Sequence, residues 1–196
     1  MTKHNTFCYV LYIMQPISLL KNTLEQNADS SHFLFSTQDF SPIFPDFTIE
    51  NLRMLLSRAT KSGILERVCK GIYLYPKSGF DSSLVLFKTA SKLRADCLNY
   101  LSLETVLSQE GIISQQLLGW ITIMTTGRSG TIDCGRFGTV EFIHTAKSQE
   151  RIMPHLQLDA QTGMWRADKE LALQDMKDAK RKMDLISYSK EDFMLD

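Results

Sequence analysis

Apolar residues recur at helical spacing from Ile17 to Ala28, where Ile17, Leu19, Leu20 and Leu24 share a face and Pro16 suits a first turn. Phe33-Leu34-Phe35 then leads to Ser36, a good N-cap, and Thr37 to Phe44 reads as a short helix of about two turns stopped at Pro45. Asp46 and Thr48 offer caps for a third helix from Ile49 to Lys61, with Ile49, Leu52, Leu55, Leu56 and Ala59 on one stripe and Gly63 at the stop. Its opposite face shows Asn51, Arg53, Met54, Ser57, Arg58 and Lys61. After Gly63 the pattern becomes extended. Ile64 to Cys69, a Lys70-Gly71 turn and Ile72 to Tyr75 predict a β-hairpin directly behind a helix.

Residues 77–82 are rich in Lys, Ser, Gly and Asp and read as a linker into a helix from Ser83 to Ala95. A second helix follows over Leu103 to Gln109 behind the cap Ser102, and continues towards Ser114 to Leu118. The β-branched run from Trp120 to Thr126 predicts a strand, glycines 127, 130, 135 and 138 punctuate, and Thr139 to His144 reads as its partner strand. Irregular chain is expected after Pro154. Asp168 can cap a last helix of about fourteen residues, with Lys177, Lys180, Arg181 and Lys182 towards its C-terminal end. The fold class expected is therefore α+β, with a small C-terminal sheet and flanking helices. Its divisions are an extension over residues 1–14, an N-terminal domain over 15–80 and a C-terminal α/β domain over 81–196.

A formal net charge of zero argues against a bulk nucleic-acid coater or a polybasic membrane binder, yet the average hides a division. Residues 48–77 carry six basic side chains (Arg53, Arg58, Lys61, Arg67, Lys70, Lys77) against two acids (Glu50, Glu66), whereas residues 81–196 hold sixteen acids against fourteen bases. Cys8, Cys69, Cys97 and Cys134 are too scattered for a C-x-x-C spacing, and reduced thiols in the cytoplasm are expected. Phe7 to Met14 is short for a signal peptide and reads instead as a first strand, or as an extension ahead of a start near Met14. No run approaches the roughly 20 apolar residues of a membrane span.

Helix, short helix, capped helix, hairpin is the order of a winged helix-turn-helix, whose second motif helix enters the major groove of double-stranded DNA while the wing meets the backbone. Burying the apolar stripe of the third helix leaves Asn51, Arg53, Ser57, Arg58 and Lys61 facing outward behind the cap Thr48, with Arg67 and Lys70 flanking the wing. These eight residues are the candidate DNA contacts. A solvated charged face is the bland alternative, and a winged helix that docks a toxin or another protein directly is the competing function.

The residues also carry a family resemblance. Thr48, Leu52 and Leu55-Leu-Ser-Arg58, followed by Ser62-Gly63-Ile-Leu-Glu-Arg67 and Gly71-Ile-Tyr73, resemble the N-terminal domain of AbiEi-type antitoxins. Tyr100 to Leu107 with Gly111-Ile-Ile-Ser114, Ile123 to Arg128 with Phe142-Ile-His144, and Ala167 to Asp175 resemble three further segments of that family in order. Ala59 replaces the usual leucine, Asp168 stands where proline is common, and residues 1–14 have no counterpart. The resemblance implies an antitoxin of a type IV toxin–antitoxin pair. Such a protein represses its own operon at operator inverted repeats and opposes a nucleotidyltransferase-like toxin through its C-terminal domain, without a stable complex and without a cofactor.

Enzyme readings fare worse. Asp133 and Glu141 lack the lysine of a metal-dependent nuclease strand, and Gly130 to Gly135 holds one aspartate where a nucleotidyltransferase needs two. His4, His32 and His155 make no metal spacing with the cysteines, and His144 reads as a satisfied structural histidine. Gly127 to Gly130 lacks the ending of a P-loop and reads as a hairpin turn, while Trp120 and Trp165 are expected in the core.

Overall fold

A computed structural model of the chain describes residues 15–113 and 118–182. The strand considered for Phe7 to Met14, and residues 114–117 of the segment ending at Leu118, lie outside the described residues. Two compact units divide between Ser82 and Ser83.

In the first unit, helix α1 (Pro16–Asn27) begins on a proline whose missing N–H costs nothing at that position, and it buries Leu20 and Leu24. Asp29 then turns the chain, its carboxylate accepting the backbone N–H groups of Ser31 and His32. Strand β1 (Leu34–Ser36) follows. The helix expected from Thr37 to Phe44 is only a 3-10 turn over Gln38–Phe40. Ser36 and Asp39 do cap one another reciprocally. The turn fails to extend because Pro42 has no N–H to donate to the Gln38 carbonyl, which Ser41 takes from three residues away.

Helix α2 (Ile49–Lys61) has the expected bounds, with the Thr48 hydroxyl accepting the Asn51 N–H at 3.2 Å. Leu52, Leu55, Leu56 and Ala59 are buried, each 2% exposed or less, against Leu20, Leu24, Phe40 and Phe44. Each of those leucines contributes about 2 kcal/mol by leaving water. Ile49 departs from the expected stripe: it is 36% exposed, in the first turn at the edge of the buried face. At the other end Gly63 takes φ +71°, the Gly63 N–H donates to Thr60, and the Ile64 N–H donates to Ala59 at 2.9 Å. This is a Schellman closure, and it aims the chain into strand β2 (Glu66–Cys69), which pairs with β3 (Ile72–Leu74) across a turn at Lys70 and Gly71. β1 pairs antiparallel with the other side of β3, so the sheet order is β1-β3-β2.

A 3-10 turn at Ser82–Leu84 leads into the second unit and its helix α3 (Val85–Leu93), which lies two residues inside each expected end. Its sheet holds β4 (Asn99–Leu101), β5 (Trp120–Thr125), β6 (Gly130–Asp133), β7 (Thr139–His144), β8 (Leu156–Leu158) and β9 (Trp165–Ala167), in the order β6-β7-β5-β4-β9-β8. β7 is the expected partner of β5, but the two run parallel. Gly127 to Gly130 is therefore not a hairpin turn. It leads from β5 across to β6, which pairs with the far side of β7. The region after Pro154 is likewise not irregular, since β8 and β9 form an antiparallel pair and β9 lies parallel to β4.

Helix α4 (Leu103–Gln109) lies on the Thr122 face of the sheet, where the Thr105 and Thr122 hydroxyls are 3.0 Å apart. Arg94, just past α3, stacks 3.9 Å from the ring centroid of Phe142. Phe142 adjoins Glu141, the residue opposite Thr122, and neighbours in a strand point to opposite faces, so Arg94 covers the other side. After a short helix α5 (Gln149–Ile152), helix α6 (Lys169–Asp178) starts at Asp168, whose carboxylate accepts the Leu171 N–H. It runs for ten residues rather than about fourteen. Lys180 adopts φ +53° and the Arg181 N–H donates back to Met176, ending the helix in a Schellman closure built on lysine.

Two further expectations are corrected. Ser102 stands at the start of α4 but does not cap it; its hydroxyl donates to Asp175 of α6 at 2.7 Å instead. Trp120 and Trp165 are each 37% exposed, not core, and the Trp120 indole N–H donates to Glu141 at 3.3 Å. His144 is exposed, with Nδ1 2.8 Å from the Gly127 carbonyl, so its ring is satisfied from the turn beside it.

Candidate nucleic-acid interface

The outward side of α2 follows from the inward one. At about 100° per residue, four buried residues centred between Leu55 and Leu56 leave Glu50, Met54, Ser57 and Lys61 diametrically opposite. Asn51 and Arg58 flank that line on one side and Arg53 on the other. All of these are exposed. The acid beside Arg53 does little to neutralise it, because Glu50 lies 3.9 Å away and both side chains are more than half exposed.

Thr48 is committed to the helix start by the bond its hydroxyl accepts, which leaves a neighbouring molecule the hydroxyl proton and one remaining lone pair. Arg67 leaves β2 on the exposed side, where its Nε–H donates to the Cys69 carbonyl at 3.2 Å across the irregularity in the β2–β3 register. That bond uses one of the five guanidinium N–H groups and leaves the four on the terminal nitrogens. Lys70 sits exposed at the hairpin turn.

The eight expected residues thus divide between one helix face and the hairpin that its C-terminal closure launches. Three bonds from residues 63–65 to the last turn of α2 make that junction short and fixed. Sequence reasoning placed Met54 on the outward face without giving it a role, although it is 59% exposed in the middle of that face.

The second unit offers other polar clusters. Asp175 is fully buried and accepts Ser102 Oγ on one oxygen and Lys147 Nζ, at 2.7 Å, on the other; Lys147 also reaches Asp178. Burial opposes the charge on Lys147, but its hydrogen bonds to the two carboxylates outweigh that and raise its pKa above the ordinary value. Burial, and then the Asp175 charge, pushes the Tyr100 phenol upward. A groove of about 430 Å³ lies along β8 and β9, lined by Glu110, Asp159, Arg166 and Asp168 among others. Its groups are largely engaged: Glu110 pairs with Arg166, and Asp168 both caps α6 and holds His155. Asp133 and Glu141 do not form an acid pair, since Asp133 accepts the Gly135 N–H and Glu141 binds Arg181 at 2.5 Å. Among the described residues no group of three His, Cys, Asp or Glu could hold a metal ion, and no helix is long and apolar enough to cross a membrane.

Residues 22–76 match the family described as transcriptional regulator, AbiEi antitoxin. The matched segment runs from within α1 to just past β3 and contains every residue of the α2 face and the hairpin. None of the curated proteins compared with the chain matches it.

Proposed function

We propose, from the match of residues 22–76 to the AbiEi antitoxin family of transcriptional regulators, that the N-terminal unit is a winged helix-turn-helix that binds operator DNA and represses its own operon. The observation that carries this reading is the α2 face: a buried apolar stripe on one side and, on the other, Asn51, Arg53, Ser57, Arg58 and Lys61, all exposed. α2 enters the major groove, and the β2–β3 hairpin brings Arg67 and Lys70 to the phosphates as the wing. The order α1, β1, turn, α2, hairpin supports the assignment, with β1 closing the small sheet on β3. In the full role the chain is the antitoxin of a type IV toxin–antitoxin pair. Its second unit opposes a nucleotidyltransferase-like toxin without forming a stable complex.

Five cations on this surface (Arg53, Arg58, Lys61, Arg67, Lys70) neutralise at most five phosphates per chain, so log K against log salt should fall with a slope of about −4 to −5 per bound monomer. Fluorescence anisotropy of the purified chain on the DNA upstream of its gene measures this. An Arg53→Ala plus Arg58→Ala variant should bind weakly and lose about two units of slope. The same variant, co-expressed with the neighbouring gene, should still protect cells while repression is lost. Binding to that upstream DNA no tighter than to random duplex at physiological salt would sink the repressor reading.

A further inference from the structure

In the first unit two large apolar side chains are exposed among the described residues, Ile49 and Met54, and both belong to α2. They differ in position. Ile49 lies at the edge of the buried stripe, whereas Met54 falls within about 30° of the point directly opposite it. Its neighbours one turn away are Glu50 and Asn51 before it and Ser57 and Arg58 after it, all polar and all exposed. Neither packing nor capping requires a methionine there. A single exposed apolar residue is ordinary on a protein surface, but this one stands at the centre of the face that the proposed function lays in the major groove.

We propose that Met54 is a specificity-determining residue whose thioether packs against thymine C5-methyl groups; the inference rests on the reading of α2 as the helix that enters DNA. The thymine methyl is the one apolar group that the four bases expose in the major groove. Methionine suits it because an unbranched, polarisable chain with three rotatable bonds can follow a methyl whose position shifts from step to step. Asn51, three residues earlier on the same face, presents the amide that pairs with adenine in two hydrogen bonds. Asn51 and Met54 side by side therefore fit the two halves of an A·T pair. Arg53, Arg58 and Lys61 around them supply charge that is indifferent to sequence.

The test separates methyl groups from everything else in the duplex. The DNA upstream of the gene is amplified once with dTTP and once with dUTP, which removes every C5-methyl while keeping base pairing and phosphates. The full-length chain should bind the uracil duplex at least about fourfold more weakly, the factor for one methyl-sized group left unburied. Met54→Ala should lose a similar factor on the thymine duplex and bind both duplexes alike. Met54→Leu should keep the preference. Arg58→Ala should weaken both and leave their ratio intact. Alanine at an exposed helix position favours the helix, and circular dichroism confirms that the variant is folded. Equal binding of the wild-type chain to both duplexes, or an undiminished preference in Met54→Ala, overturns the proposal. A chain that binds neither duplex better than a random one overturns the DNA reading itself, a result distinct from any change in the ratio.

Discussion

Replacing Lys147 by methionine should destabilise the second unit by about 3 kcal/mol. The substitution keeps all but the last atom of the side chain's length and removes its charge, leaving Asp175, fully buried, without its counter-ion but still accepting from Ser102. Breaking a buried ion pair from one side typically costs about 3–5 kcal/mol, because the surviving charge stays out of water without its counter-ion. The Ser102 hydroxyl, at 2.7 Å, retains part of the solvation and places the effect at the lower end of that range. Despite burial, the hydrogen bonds of Lys147 to the two carboxylates hold its ammonium pKa above the ordinary lysine value, so Lys147 is charged at pH 7 and the loss of its charge is expressed there. Both tryptophans of the chain, Trp120 and Trp165, lie in the second unit, on β5 and β9. Intrinsic fluorescence during urea or thermal unfolding therefore reports on this unit, and a fall in Tm of about 10 °C is expected at about 3–5 °C per kcal/mol. Adding Asp175→Leu to Lys147→Met should restore much of the loss, since an apolar pair owes no desolvation. A single variant that melts within about 1 kcal/mol of the wild type would show that the Lys147–Asp175 contact carries no such weight.

Two further perturbations probe other parts of the second unit. Gly138 has φ +114°, and a Cβ there would meet the Gly119 carbonyl oxygen at 1.9 Å, so Gly138→Ala should yield a chain whose tryptophan fluorescence is that of an unfolded second unit; a native emission spectrum would contradict this. His155 is hydrogen-bonded to Asp168 at 2.7 Å, and that bond, then the carboxylate charge, raises its pKa above 6.5. The stabilisation is complete below 6.5 and disappears as pH rises through the raised value, so the gap in stability between wild type and His155→Gln should close over that window. An NMR titration with a midpoint at or below 6.5 would refute it.

What could be read from the chain and what could not differ in physical kind. α2 was legible because every signal for it is local: a hydroxyl at Thr48, apolar residues at Leu52, Leu55, Leu56 and Ala59, and a glycine for the left-handed stop at Gly63. The outward orientation of Arg53, Arg58 and Lys61 follows from that stripe alone. β8 and β9 were invisible because each is three residues long, too short for an alternating pattern, and the pair is held in place by β4, which lies far away in the sequence and lines up beside β9. The parallel alignment of β5 and β7 was illegible for the same reason: nothing near Gly127 says that the next strand will pass over its neighbour. Ser102 looked like a cap because hydroxyls at helix starts usually are, yet Asp175, distant in sequence, competes for it and wins. α6 ended early because Lys180 takes the left-handed conformation that a reader would expect only of glycine or asparagine. Met54 was placed on the correct side of its helix, but position on a wheel does not say how far a side chain stands out into solvent.

The inward and outward residues of α2 form two sets with no member in common. Changes in one set therefore leave the other almost untouched. Exchanging Asn51, Met54, Ser57 or Arg58 alters what the helix presents, and surface substitutions of this kind usually move stability by no more than about 0.5 kcal/mol. On the proposed reading of α2 as the helix that enters DNA, a lineage carrying this chain can drift in its target while its scaffold stays under unchanged selection. Duplicated copies within one genome could in this way stop cross-talking after a handful of substitutions, each tolerated when it arises.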